Sequence, residues 1–114
     1  MWLATKIGWF SIVRKSAGET HVRARSKNDL GNLVKACCQE PLPKILVTHH
    51  NDYCCRIIVS PEEATRIVTK LAEQIDYDNF KGVISDTPDQ ADKLHRYHDI
   101  HGIMEGYQQM VHGR

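Results

Sequence analysis

Two copies of one helix signature lie 34 residues apart, and this offset constrains the fold more than any other feature of the sequence. Ser26 falls on Ser60, Leu30 on Ala64, Leu33 on Ile67, Val34 on Val68, Cys37 on Leu71 and Cys38 on Ala72. In each copy the apolar positions follow the i, i+3, i+4, i+7, i+8 spacing of one helical face. A serine stands ahead of each as an N-cap, and Ser60-Pro61-Glu62-Glu63 adds a first-turn proline and a capping-box glutamate. Pro41 and Pro43 end the first helix. The buried face of the second extends to Ile75. One period of this length is too little for a solenoid.

Two strands precede each helix. Residues 2–15 are rich in Trp, Ile, Phe and Val and read as one strand with a bulge at Gly8. After the turn Ser16-Ala17-Gly18-Glu19, residues 21–25 alternate as a second strand. Residues 45–48 form a third, His50-Asn51-Asp52 a turn, and residues 53–59 a fourth. The chain is therefore expected to be a single α+β domain, 1–114, of two ββα units at 2–40 and 44–76. Hairpin pairing and right-handed crossovers give a four-stranded antiparallel sheet of order 1-2-4-3. This is a permuted ferredoxin-like sheet with two helices on one face. Residues 76–86 read as a turn, with Asn79 in a left-handed helix cap and Tyr77 and Phe80 pinning it. Thr87-Pro88-Asp89-Gln90 then opens a third helix, 88–112, whose apolar side is Tyr97, Ile100, Ile103, Met104, Tyr107 and Val111. That side requires a cover, either the far side of the sheet or a second chain.

Fifteen Lys and Arg against 14 Asp and Glu leave a formal charge of +1, with no global pull toward nucleic acid or an anionic membrane. No apolar run approaches the roughly 20 residues of a membrane span. The start, Met1-Trp2-Leu3-Ala4-Thr5-Lys6, lacks the basic and apolar regions of a signal peptide, so a cytoplasmic location with reduced thiols is expected. The repeat places Cys37 and Cys38 in the slots of Leu71 and Ala72, as small buried hydrophobes. Cys54 and Cys55, adjacent on a strand, are expected to face opposite sides and to serve core packing, an exposed Cys54 being the exception.

Three groups of residues could carry chemistry. The densest mixture of acid, aromatic and amide is Asp76, Tyr77, Asp78, Asn79, Phe80 and Lys81. Together with Tyr97 and His98 at the start of the third helix, it is the expected contact site for a ligand or partner. Arg23, Arg25 and Arg56, with His21 and with Phe10 or Trp9 nearby, could make a sheet face for single-stranded nucleic acid. An RNP1-type sequence is absent, however, and the 34-residue offset sets Arg23 and Arg25 against the apolar Ile57 and Val59. His98, His101 and Glu105 lie within roughly 60° on a helical wheel. They could hold a divalent metal, as a binding site or in a metal-dependent enzyme, although the spacing is not H-E-x-x-H and the same positions suit a solvated polar face. Gly102 and Gly106 share one side of the third helix, where another backbone could approach. No nucleophile–base arrangement or phosphate loop is visible. The expected function is a non-enzymatic binding or regulatory module, without a cofactor, acting as a homodimer on a protein or small-molecule partner and away from membranes.

Trp9-Phe10-Ser11-Ile12-Val13, Val22-Arg23-Ala24-Arg25, Ile75-Asp76-Tyr77-Asp78-Asn79-Phe80-Lys81 and Tyr97-His98 together resemble a family of small bacterial proteins of similar length and no established activity. The resemblance spans nearly the whole chain, and the stretch from Ile75 to Lys81 is its most specific part. It implies a bacterial, cytoplasmic, stand-alone domain and carries over no functional residues. The chain departs from the family pattern at His101, where tryptophan is expected, and this counts against the His98–His101–Glu105 metal site.

Overall fold

In the computed structural model, which describes residues 1–113, the first expected strand breaks in two. Thr5 makes the break. Its Oγ1 accepts the N–H of Ile7 at 3.3 Å and of Gly8 at 3.1 Å, and donates to the Gly8 carbonyl at 2.8 Å. The chain reverses there, so β1 (Trp2–Thr5) pairs antiparallel with β2 (Gly8–Ser16). The unit Met1–Asp76 continues with β3 (Glu19–Ala24), α1 (Lys27–Cys37), β4 (Leu46–Val47), β5 (Cys55–Val59) and α2 (Pro61–Glu73). The sheet is antiparallel, in the order β1-β2-β3-β5-β4. The four-stranded expectation is thereby corrected to five: the expected neighbours stand as β2-β3-β5-β4, and β1 adds an edge.

Gly8 is not a bulge; the register shift falls between Arg14 and Ser16. A Cβ at Gly8 would lie 2.7 Å from the Cβ of Asp29 and 2.7 Å from the Phe10 ring. Glycine is needed because β2 runs tight under α1. The buried Asp29 carboxylate uses that closeness to accept the Trp9 N–H at 3.1 Å.

Both repeat helices start as the sequence indicates. Ser26 Oγ accepts the N–H of Asp29 at 3.0 Å, and Ser60 Oγ that of Glu63 at 3.1 Å, each serving a donor the helix itself leaves unpaired. Leu30, Leu33, Val34 and Cys37 of α1 are buried, as are Ala64, Ile67 and Leu71 of α2. Ala72 and Ile75, expected inside, are exposed: Leu71 is the last buried residue of α2, Ala72 lies about 100° round the helix from it, and Ile75 follows the helix end at Glu73. The helices pack on Phe10 and Ile12 of β2, Val22 and Ala24 of β3, and Cys55, Ile57 and Val59 of β5.

The strands do not keep the helical offset. Thr20, Val22 and Ala24 on β3 correspond to Cys55, Ile57 and Val59 on β5, an offset of 35. Arg25 is the extra residue, lying between β3 and the Ser26 cap where β5 runs directly into Ser60. Period-2 alternation turns that one residue into a change of face. Arg23 therefore pairs with Arg56, and the neighbouring Val22 with Ile57. The conflict between arginine and apolar positions seen in the sequence disappears. Cys54 also differs from expectation. It precedes β5 rather than lying in it, so its Sγ comes within 3.8 Å of Cys55 Sγ instead of pointing to the other face.

The second unit begins at Tyr77. Residues 76–86, expected as a turn, contain a helix, α3 (Phe80–Asp86). Asn79 has φ −136°, outside the left-handed region, and caps the start of α3 by accepting the Gly82 N–H at 3.0 Å. Thr87 closes α3 rather than opening the next helix, its Oγ1 donating to the Val83 carbonyl at 2.6 Å. A single 3₁₀ turn, Ala91–Lys93, leads into α4 (Leu94–Val111), so the last helix starts six residues later than expected. Phe80 meets Tyr97 edge-on at 4.9 Å between ring centroids, tying α3 to α4. Among the described residues, no helix is long and apolar enough to cross a membrane.

Candidate functional site

The sheet face opposite α1 and α2 carries a polar row. Trp2, Ser11, Arg23, Arg56 and Leu46 are successive cross-strand partners on β1, β2, β3, β5 and β4, so the polar Ser11, Arg23 and Arg56 stand between two apolar ends. Arg23 Nη2 donates to Ser11 Oγ at 2.7 Å. Arg56 Nη1 lies 3.0 Å from His21 Nδ1, and His21 Nε2 lies 3.2 Å from Glu19 Oε1. An arginine can only donate, so His21 accepts at Nδ1 and carries its proton at Nε2, facing the carboxylate. Both arginines thus hydrogen-bond to neutral side chains.

Tyr53, expected as the start of a strand, sits instead in the bend before β5 with only 6% of its surface exposed. The guanidinium carbons of Arg23 and Arg25 lie 4.5 and 4.1 Å from its ring centroid. These cation–π contacts hold the 50–53 segment against β3. Between that segment and the strands lies an open cleft of about 380 Å³, walled by Lys15, Arg23 and Arg56, with Asp52 its one acid. Of the three arginines expected on a sheet face, Arg23 and Arg56 wall this cleft, while Arg25 follows β3 and lies over the Tyr53 ring outside the lining. Of the rings near the cleft, Tyr53 is covered and Phe10 is buried on the other face of the sheet, whereas Trp9 and the exposed Trp2, 6.0 Å apart between ring centroids, lie on the same face as Ser11 and Arg23 but outside the cleft lining. From the sequence, Lys15 and Tyr53 read as strand residues and His50 as part of a turn, none of them assigned to a site. Their one signal was the polar turn His50-Asn51-Asp52 beside an arginine-bearing strand.

The acid–aromatic segment is divided. Asp76 closes the first unit, its exposed carboxylate 3.1 Å from Lys6 Nζ, and Tyr77 opens the second. Within the second unit, Tyr77 and Phe80 lie 6.1 Å apart and Phe80 packs on Tyr97, while Asp78 is exposed and Asn79 serves as a cap. Lys81 Nζ comes within 3.3 Å of His98 Nδ1. These two border a 450 Å³ cleft with Leu94 and His95, so Lys81 and His98 do come together.

His98 is thereby turned to Lys81, whereas His101 pairs at 4.0 Å with Glu105 and His95 at 3.6 Å with Asp99. Among the described residues no group of three or more His, Cys, Asp or Glu side chains is placed to hold a metal ion, so His98, His101 and Glu105 are not gathered. Beyond Tyr97 the apolar side of α4 is bare. Ile103 is 71% exposed, and Met104, Tyr107 and Val111 are each 56% exposed. At about 100° per residue, Gly102 and Gly106 fall on the opposite side of the helix from this stripe. A Cβ at either glycine would meet nothing within 4 Å.

All four cysteines are free thiols. Burial pushes Cys37 up to about 11; burial, with the hydrogen bond and charge of Cys54, pushes Cys55 up to about 12. Neither has the depressed pKa of a reactive cysteine. Comparison with protein-family models, curated proteins and solved structures returns no match.

Proposed function

We propose that this chain is a non-enzymatic binding module of the bacterial cytoplasm that works as a homodimer joined through the apolar stripe of α4. The observation that carries this reading is the exposure of Ile100, Ile103, Met104, Tyr107 and Val111 along one side of a single helix. Their spacing is that of a helix–helix seam, and two-fold symmetry would set the same stripe against itself. Each such side chain contributes about 1.5–3 kcal/mol when fully buried. Leaving five of them in water is therefore costly. The glycine pair, on the other side of the helix, adds nothing to the dimer. Free thiols suit a reducing compartment, and the cleft beside Lys81 and His98 is the proposed contact for a small partner.

Sedimentation velocity across micromolar concentrations tests the reading. The expected result is a concentration-dependent dimer that Ile103→Asp converts to monomer. A strict monomer throughout the range removes the homodimer.

A further inference from the structure

The cleft between the 50–53 segment and the sheet is not explained by self-association through α4. Arg23 and Arg56 occupy directly opposed positions on adjacent antiparallel strands, an arrangement that like charges make unfavourable. A sheet built only for stability would place a carboxylate or a neutral residue at one of them. Instead Lys15 adds a third cation to the same wall, with only Asp52 opposing them. The guanidiniums are also held in place. Arg23 is fixed by Ser11 Oγ and the Tyr53 ring, and Arg56 by His21, whose other nitrogen faces Glu19. Fixed guanidiniums lose less freedom when they bind a planar or tetrahedral anion.

We propose that this cleft binds a phosphate group, with Arg23 and Arg56 as paired donors and Lys15 as the third positive contact. An anion between the two arginines would turn their repulsion into a shared attraction. The cleft volume of about 380 Å³ suits a small phosphorylated molecule or free phosphate. Single-stranded nucleic acid is less favoured. Such sites rely on open aromatic faces for stacking; the ring that lines this cleft, Tyr53, is covered by its own arginines, and the exposed Trp2 lies outside the lining.

The test is an amide-shift titration of the full chain at low ionic strength with three probes: inorganic phosphate, a nucleoside monophosphate, and an oligothymidylate without a terminal phosphate. Inorganic phosphate should give saturable millimolar shifts centred on residues 50–53 and 56. Tighter binding of the nucleotide would identify the ligand as a phosphate ester; equal binding would identify it as the free ion. Arg56→Met should weaken binding about tenfold, the effect of losing one charge-assisted hydrogen bond. Lys15→Ala, at an exposed strand end, should weaken it by a smaller factor, and a native circular dichroism spectrum confirms that each variant is folded. Absence of saturable shifts with phosphate overturns the proposal. So do shifts that persist unchanged in both variants, or an oligothymidylate that binds more tightly than either phosphate probe.

Discussion

Arg23 on β3 and Arg56 on β5 stand directly opposite each other, two like charges in one cross-strand pair. Their repulsion is expected to appear as a coupling energy of about 0.2–1 kcal/mol. In a double-mutant cycle, either single Arg→Met change already relieves the repulsion. The double variant should therefore be less stable than the two single effects summed, by that amount. Urea unfolding of the four proteins in phosphate-free buffer measures it. Coupling of zero or of opposite sign would show that the arginines do not repel. Saturating phosphate should reverse the sign by bridging them.

Gly8 on β2 and Asp29 on α1 meet at a close strand–helix approach. Gly8→Ala places a methyl group 2.7 Å from the Asp29 side chain and the Phe10 ring. Overpacking of this kind costs about 1–3 kcal/mol. Asp29→Ala removes the carboxylate carbon from that contact but keeps the Cβ at 2.7 Å, and it leaves the Trp9 N–H without its 3.1 Å acceptor, a loss of about 1–3 kcal/mol if that group stays buried. Both variants should lower the urea midpoint, and the combined change should cost less than the sum of the two. Strict additivity would show that the two residues do not share one contact.

The thiols set a limit at high pH. Cys37 and Cys55 ionise in the unfolded chain near their ordinary value of 9.0, but in the folded chain only near about 11 and about 12. Above pH 9 the unfolded state releases protons that the folded state keeps. The stability these buried neutral thiols contribute is complete below pH 9 and falls as pH rises through the folded values. Thermal melts should show that decline, and it should shrink in Cys37→Ala and Cys55→Ala measured against their own neutral-pH stability. At pH 8 an aromatic disulfide reagent should reach Cys37 and Cys55 only slowly in the native protein and rapidly in urea.

The helix pair was legible because its information is local: each helix carries its own serine cap and 3.6-residue period, and Pro41 and Pro43 stop the first. The strand register was not, since it turns on the single inserted residue Arg25, which leaves the helices alike and moves the strands by one. The 2–15 segment hid its reversal for a similar reason. Thr5 turns the chain through side-chain hydrogen bonds to Gly8 and Ile7, without the Asn-Gly or Asp-Gly signal that marks most tight hairpins. Asn79 suits a left-handed cap or an N-cap equally well, and the choice rests on the Gly82 N–H three residues on. The arginine cleft was half visible. Its strand residues were named, but Tyr53, which orders the site, looked like one more apolar strand position.

The stripe on α4 separates association from folding. Ile103 and Tyr107 are 71% and 56% exposed, so replacing either should change the stability of the monomer by no more than about 0.5 kcal/mol. Ile103→Asp and Tyr107→Asp should nonetheless abolish the dimer, because each would bury an unpaired charge twice in a symmetric seam. Gly102→Ala and Gly106→Ala, on the opposite side of the helix with open space around each Cβ, should leave dimerisation intact. Each should also stabilise α4 by up to about 1 kcal/mol through helix propensity. Sedimentation combined with thermal melts of the four variants resolves these outcomes. If the glycine variants dissociate the dimer while the aspartate variants preserve it, the seam lies on the glycine side of α4 and the apolar stripe is not the contact.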